Sequence, residues 1–381
     1  MSTPVVLFDD GVHVAPLNDL RASFDVRTGA LTTRERWSRL RNDVRTGGDV
    51  SGEAEVLLVN GRCPLPPVSL EHFGPNEAIV ESGTNALVMA RLPGVRVGAA
   101  MKGDRSGLTT HATPEGTLIG KPWHVRSVRD RCMEMDFGFF AGTAPSAPPP
   151  GTVWLGDRGL RIGKGATVYP TVVLDTEAGM IVIEEHAVVR PGAILIGPCY
   201  VGAHATVLER ATIRPRTAIG PWCKVNGEVG GTIFQGFSNK AHDGYLGDSW
   251  VGEWVNFGAG TTNSNLLNTY GEIIAKATPE GRNERTGEQF LGAIVGDHVK
   301  TAICTRIMTG SVLHTGGMFA TTAPVSGTTP AFAWVTDGGT RSYRLDKFIE
   351  VAKAAMARRK VTPDDAYLAA IASLHAGAAA R

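Results

Sequence analysis

The chain has 381 residues, 43% hydrophobic and 20% charged, the balance of a globular protein rather than a disordered or membrane-spanning one. Its 38 basic and 37 acidic residues leave a net charge of +1, which supplies no whole-molecule field for nucleic acid or an anionic bilayer. Cys63, Cys132, Cys199, Cys223 and Cys304 are odd in number and never spaced as C-x-x-C, so neither a disulfide framework nor a zinc ribbon is expected, and a reducing compartment is.

The opening MSTPVVLFDDGV lacks a basic and apolar leader, and no later run reaches the roughly 18 apolar residues of a membrane span. A cytoplasmic protein with no membrane partner is expected. Residues 4–8, PVVLF, read as a short buried strand, TTRERWSRLRNDV as a helix starting at Thr32 or Thr33, and AEVLLVNGR as a second strand running into a turn. Together they predict a small α/β domain over residues 1–143. The proline-rich APSAPPP falls in a semi-rigid linker, residues 144–155.

Beyond the linker, aliphatic residues recur at every sixth position: Ile183, Val189, Leu195, Val201, Val207, Ile213, Ile219 and Val225. With glycine or proline beside many of them, this period predicts a left-handed parallel β-helix over residues 156–325, three hexapeptides to a coil and the aliphatics inside. The 47 glycines concentrate here, as tight corners require. An earlier coil begins at Ile162 and Val168. After a slip the register is expected to resume at Ile233, Asn239, Tyr245, Val251 and Phe257, and again at Val295, Thr301, Ile307 and Leu313. Residues 266–290 would then be a loop thrown out of the stack, a usual place for function. His186 and His204 should stack on one corner. The last segment, 326–381, reads as helical: Leu345, Phe348, Ile349, Ala352 and Met356 share a face, and a second helix follows with Thr362 as cap and Pro363 at its first position.

The polar set from Asn239 to Asn265 is more than a scaffold needs. Asn239 and Tyr245 fall at expected aliphatic positions, where burial without partners costs about 1–3 kcal/mol each. His242 is the one side chain of the segment whose ordinary pKa, about 6.5, suits proton transfer near neutrality, which makes it the candidate base. Asn256 and Asn265 offer amides for a sugar hydroxyl or phosphate, and Lys240 a charge for a phosphate. No H-x-x-x-x-H spacing occurs, so no metal site is expected.

The stretch SNKAHDGYLGDSWVGEWVNFGAGTTNSN, residues 238–265, resembles the acetyltransferase half of the bifunctional glucosamine-1-phosphate acetyltransferase/N-acetylglucosamine-1-phosphate uridylyltransferases. The whole chain resembles a divergent branch of that family, through LFDD, through Pro16, Leu17, Arg21, Arg27 and Gly29, through ERW, Asn60-Gly61, NGEVGG and VGDH at 295–298. The resemblance implies a homotrimer of β-helices that uses acetyl-CoA as co-substrate and an amino sugar 1-phosphate as acceptor. It implies His242 as base, with Tyr245 and Asn265 beside it. Asn239, Lys240 and Asn256 would meet the acceptor, with Lys224 and Lys276 as further candidates. Ala259 and Gly260 would leave room for CoA, with Lys300 nearby. Where the family continues Asn-Tyr this chain has Asn265-Leu266, and the family lysine a few residues later has no match; Tyr270, Lys276 or Lys300 are the candidates to replace it. A second reading is Mg²⁺-dependent nucleotidyl transfer by the N-terminal domain, with Arg21 and Arg27 on the nucleotide, although the glycine-rich phosphate loop of such enzymes is missing. A third is a non-catalytic trimeric scaffold or sugar-nucleotide sensor.

Overall fold

The computed structural model describes residues 3–68, 70, 72–142 and 145–379. The expected domain boundary at residues 143 and 144 lies outside the described residues.

The first predicted strand, Val5–Phe8, is buried along its whole length. It pairs in parallel with Val44–Arg45 on one side and Val56–Asn60 on the other, and the six-stranded sheet continues through Leu87–Leu92 and Glu77–Glu81 to Thr109–Thr113. Such unbroken apolar strands need cover on both faces. One cover is the helix Thr33–Leu40, which starts with a capping box: the Glu35 N–H donates to the Thr32 hydroxyl and the Thr32 N–H to the Glu35 carboxylate. The following residues lock this helix to the long helix His124–Ala141. Arg36 and Asp136 form a fully buried pair at 2.7 Å. Gly29 is required beside them, because a Cβ there would stand 2.6 Å from Asp136 Oδ2.

From Val153 the chain winds a left-handed parallel β-helix. All eight aliphatics of the six-residue pattern are completely buried. They form ladders, Ile183 beside Val201 beside Ile219 and Val189 beside Val207 beside Val225, which fill the bore with one continuous core. Residues outside the bore differ from sheet to sheet. On the nine-stranded sheet the outward column Val182, Tyr200, Ala218, Ile233, Trp250, Ile294 and Val312 is apolar too, because the N-terminal domain packs on it through Val14, Leu17, Leu31, Trp123 and Phe140.

That second apolar column explains an error of register. Ile233 is buried, but it faces the N-terminal domain; the inward residue is Phe234, which pairs with Ile219. Downstream, Lys240 rather than Asn239 lies beside Val225, and Leu246 rather than Tyr245 beside Val229. Asn239 and Tyr245 therefore point outward. Val251, Phe257, Val295, Thr301, Ile307 and Leu313 are buried at the expected inward positions.

His186 and His204 do stack, with ring centroids 5.1 Å apart. The column continues through Trp222, Phe237 and Trp254 to His298, and all six residues have positive φ between 53° and 60°. A left-handed non-glycine residue costs about 1–2 kcal/mol, which the stacked rings offset in part.

The ends differ from expectation. Val153–Leu155, assigned to the linker, is already the first strand of a coil. The C-terminal segment begins with strands Thr328–Thr329, Ala333–Thr336 and Gly339–Ser342 before the helices Leu345–Ala357 and Asp365–Ala379. The last helix takes its cap from Asp364, whose carboxylate accepts the Tyr367 N–H at 2.8 Å, and not from Thr362. The 266–290 loop folds into a small hairpin, Ile274–Ala275 against Glu284–Arg285, with Ile273 and Ala275 buried against the solenoid. Among the described residues no helix is long and apolar enough to cross a membrane, and no cluster of His, Cys, Asp and Glu has the makings of a metal site.

Candidate functional site

His242 occupies the corner between two β-helix faces, after the strand Asn239–Lys240 and before Tyr245–Gly247. Its ring is exposed and makes no hydrogen bond to the described residues. The next coil lays Ala259 and Gly260 over this corner, with the Gly260 N–H donating to the Asp243 carbonyl at 3.1 Å. Small residues there keep the ledge above the imidazole low. The corner closes at Gly244, where φ is +123° and a Cβ would come within 2.1 Å of the Thr261 carbonyl oxygen. Gly244→Ala is therefore expected to destabilise the protein by about 2 kcal/mol or more. Thermal unfolding checks this, and an unchanged midpoint would show that the corner is loose.

One flanking face carries a polar ladder. Lys224 lies beside Asn239, Asn239 beside Asn256 and Asn256 beside Lys300, each rung about 4.8 Å from the next. Asn239 donates to Asn256 at 3.3 Å and accepts from Arg359 of the Leu345–Ala357 helix end at 3.1 Å. Between this ladder and that helix runs a groove of about 320 Å³, walled by the Phe237 and Trp254 rings and carrying Lys300, Arg358 and Arg359. Burial lowers the Lys300 ammonium to about 8, and it donates to the Trp254 carbonyl.

The other face carries Tyr245 and Asn265. The Asn265 amide donates to the Tyr245 hydroxyl at 3.1 Å and to Asp248 at 2.8 Å. Asp248 is held in turn by Arg126 at 3.1 Å and Arg129 at 2.7 Å, both from the helix His124–Ala141. Burial first, then the carboxylates of Asp248 and Glu228, raise the Tyr245 phenol, which stays protonated and able to donate at neutral pH. Glu228 lies on the rung beneath Tyr245 and pairs with Arg214 at 2.7 Å.

Of the residues singled out in the sequence, the structure puts Tyr245 and Asn265 on one face beside the His242 corner and Lys224, Asn239, Asn256 and Lys300 in line on the other. Sequence reasoning missed Arg126, Arg129, Arg214 and Arg359, which come from other segments and have no local pattern, and Asp248, which lies within the stretch 238–265 but is marked out only by the arginines that reach it. Lys276 stands apart on the hairpin, its carbonyl bonded to the Thr328 hydroxyl, and Tyr270 is exposed on the same loop.

Three expectations are corrected. Lys240 is 2% exposed and points into the bore, out of reach of a phosphate outside. Arg21 is buried and paired with Asp297 at 2.6 Å and Glu253 at 3.5 Å, across to the β-helix. Arg27 is buried as well, donating to the Ala30 and Gln235 carbonyls. Neither arginine is placed to hold a nucleotide; both fasten the N-terminal domain to the solenoid.

No family model matches the chain. A bifunctional sugar-1-phosphate nucleotidylyltransferase/acetyltransferase of Sulfurisphaera tokodaii is 34% identical over 134 residues, 35% of this chain and 33% of that protein. The bifunctional protein GlmU of Rippkaea orientalis is 32% identical over 127 residues, 32% and 26% of the two chains. That of Bifidobacterium longum subsp. infantis is 32% identical over 174 residues, 40% and 36%. The chain is thus similar to these bifunctional enzymes over part of its length. Its matches span about a third of their length. Among solved structures, an Arabidopsis UDP-N-acetylglucosamine acyltransferase covers 57% of this chain and 78% of its own at 13% identity, but with a TM-score of 0.18 the overlay carries no weight.

Proposed function

We propose that the protein transfers an acetyl group from acetyl-CoA to the amino group of a sugar 1-phosphate, as a homotrimer with its sites between neighbouring β-helices. The observation that carries the proposal is the His242 imidazole: solvent-facing, without a hydrogen bond to the described residues, under a low ledge of Ala259 and Gly260, and flanked by two polar faces. By contrast, His298 and His314 are buried and hydrogen-bonded within the fold.

Acetyl-CoA, when bound, brings the activated acyl group. His242 in its neutral form takes the proton that the amine nitrogen loses as the C–N bond forms, and returns it to the sulfur as the C–S bond breaks. Tyr245 and Asn265 orient the acceptor hydroxyls. The Lys224–Asn239–Asn256–Lys300 ladder, with Arg358 and Arg359, supplies positive charge for phosphate groups. The N-terminal domain acts as a brace in this reading, since its two best nucleotide ligands are spent on internal contacts.

The test is a panel of amino sugar 1-phosphates incubated with acetyl-CoA and read by free thiol. Thiol release that depends on one acceptor is the expected result; none with any acceptor, and no stabilisation of the protein by acetyl-CoA, would favour the scaffold. Pyrophosphate release from UTP with Mg²⁺ is expected to be absent, and its appearance would return the N-terminal domain to nucleotidyl transfer.

A further inference from the structure

We infer that Lys240 is a positioning residue for the proposed base: from inside the coil its ammonium grips the main chain of the His242 corner and fixes where the imidazole stands. The inference rests on His242 as base, but its geometry is separate.

Corners on this edge of the β-helix normally stack one on another through their backbone, as the Arg210 N–H does on the Pro191 carbonyl and the Cys304 N–H on the Ala259 carbonyl. Beneath His242 that support is missing. The underlying corner is shortened to Asn226 and Gly227, between the strands Lys224–Val225 and Glu228–Gly230, while the corner above it runs from Ala241 to Gly244.

Lys240 fills the vacancy. Its Nζ donates to the Asn226 carbonyl below and the His242 carbonyl above, both at 3.0 Å. Space is reserved for it, because a Cβ on Gly227, whose φ is +73°, would stand 2.9 Å from that nitrogen. The residue sits where the pattern calls for an aliphatic, beside Val225 in the ladder. Among the described residues it makes no ion pair, and burial brings its ammonium down to about 8. The Asp243 carboxylate attracts it but forms no salt bridge with it, and a buried ammonium so weakly compensated weakens a core, so packing gives no reason for lysine here. Its two carbonyl contacts do: with the His242 carbonyl drawn inward, the side chain is turned out toward solvent.

The experiment compares Lys240→Met with the wild type and His242→Ala in the full-length protein. Lys240→Met, close in volume and without donors, is expected to unfold at the same temperature or higher. It should keep KM for acetyl-CoA within about twofold and lose about 10- to 100-fold in kcat, the scale of a displaced reacting group. With ¹³C,¹⁵N-labelled histidine, the His242 ring should give one sharp set of NMR signals in the wild type and broadened or multiple sets in Lys240→Met. If His242→Ala is inactive while Lys240→Met matches the wild type in kcat and ring signals, the positioning role is overturned and the base stands. If His242→Ala turns over normally, the base falls, and the ring signals alone decide whether Lys240 orders the corner. A Lys240→Met protein with a lowered unfolding temperature and an unchanged ring spectrum would make Lys240 merely structural and overturn the inference.

Discussion

Replacing His242 with alanine is expected to lower acetyl transfer by about two to four orders of magnitude, the usual contribution of a positioned general base or more. Stability should hardly change, because the ring is exposed and bonded to none of the described residues, and surface substitutions of that kind stay within about 0.5 kcal/mol. The variant also keeps the Lys240 contact, which runs to the His242 carbonyl and not to its ring. Steady-state thiol release beside thermal unfolding checks both halves. Undiminished turnover would remove the imidazole from the chemistry.

Arg21→Met is expected to produce the largest loss of stability. Asp297 is completely buried, and its Oδ1 accepts from Arg21 and from the Glu253 N–H at 2.6 Å. Removing the guanidinium leaves that carboxylate without a counter-charge, a change that costs about 3–5 kcal/mol in buried pairs. The cost depends on pH. Burial already raises Asp297 from 3.8 to about 6 against the pull of Arg21, and without Arg21 it rises further. A carboxyl whose folded pKa lies above its unfolded one binds its proton more tightly in the folded state. Its contribution is fully present below about pH 4 and is lost as pH climbs through the folded value. The deficit of Arg21→Met should therefore be small at pH 5 and full at pH 8. Urea unfolding at the two pH values decides, and a deficit equal at both would mean that packing of the Arg21 side chain, not its charge, holds the two domains.

The β-helix was legible because one requirement, an aliphatic at every inward position, repeats without interruption from Ile183 to Val225. It became illegible at Ile233 for a physical reason: on the face covered by the N-terminal domain, outward residues such as Tyr200 and Trp250 are as apolar as inward ones, so hydropathy no longer tells the two apart. The one-residue error then put Asn239 and Tyr245 inside and Lys240 outside, the reverse of what the ladder shows. The His242 reading did not depend on the register, because its candidacy came from side-chain chemistry and neighbours.

The N-terminal family-like residues teach a different lesson. Arg21, Arg27, Gly29, Glu35, Arg36 and Trp37 are each accounted for by an ion pair, a cap, a close approach or burial, so their pattern records how this domain packs on a solenoid. The ring column from His186 to His298 was half visible, as two histidines one coil apart. Trp222 keeps the same 18-residue spacing, but the steps to Phe237 and Trp254 were hidden by the shortened coil that also disturbs the register. The Asp248 cluster was beyond reach, since Arg126 and Arg129 come to it from another domain.

The most direct test of the account is a crystal structure with CoA bound. It should show an assembly of β-helices with the CoA sulfur lying over Ala259 and Gly260, within about 4 Å of a His242 ring nitrogen, where one proton can pass between them. CoA bound on another surface, or His242 sealed against a neighbouring subunit with no room for a thioester, would contradict it.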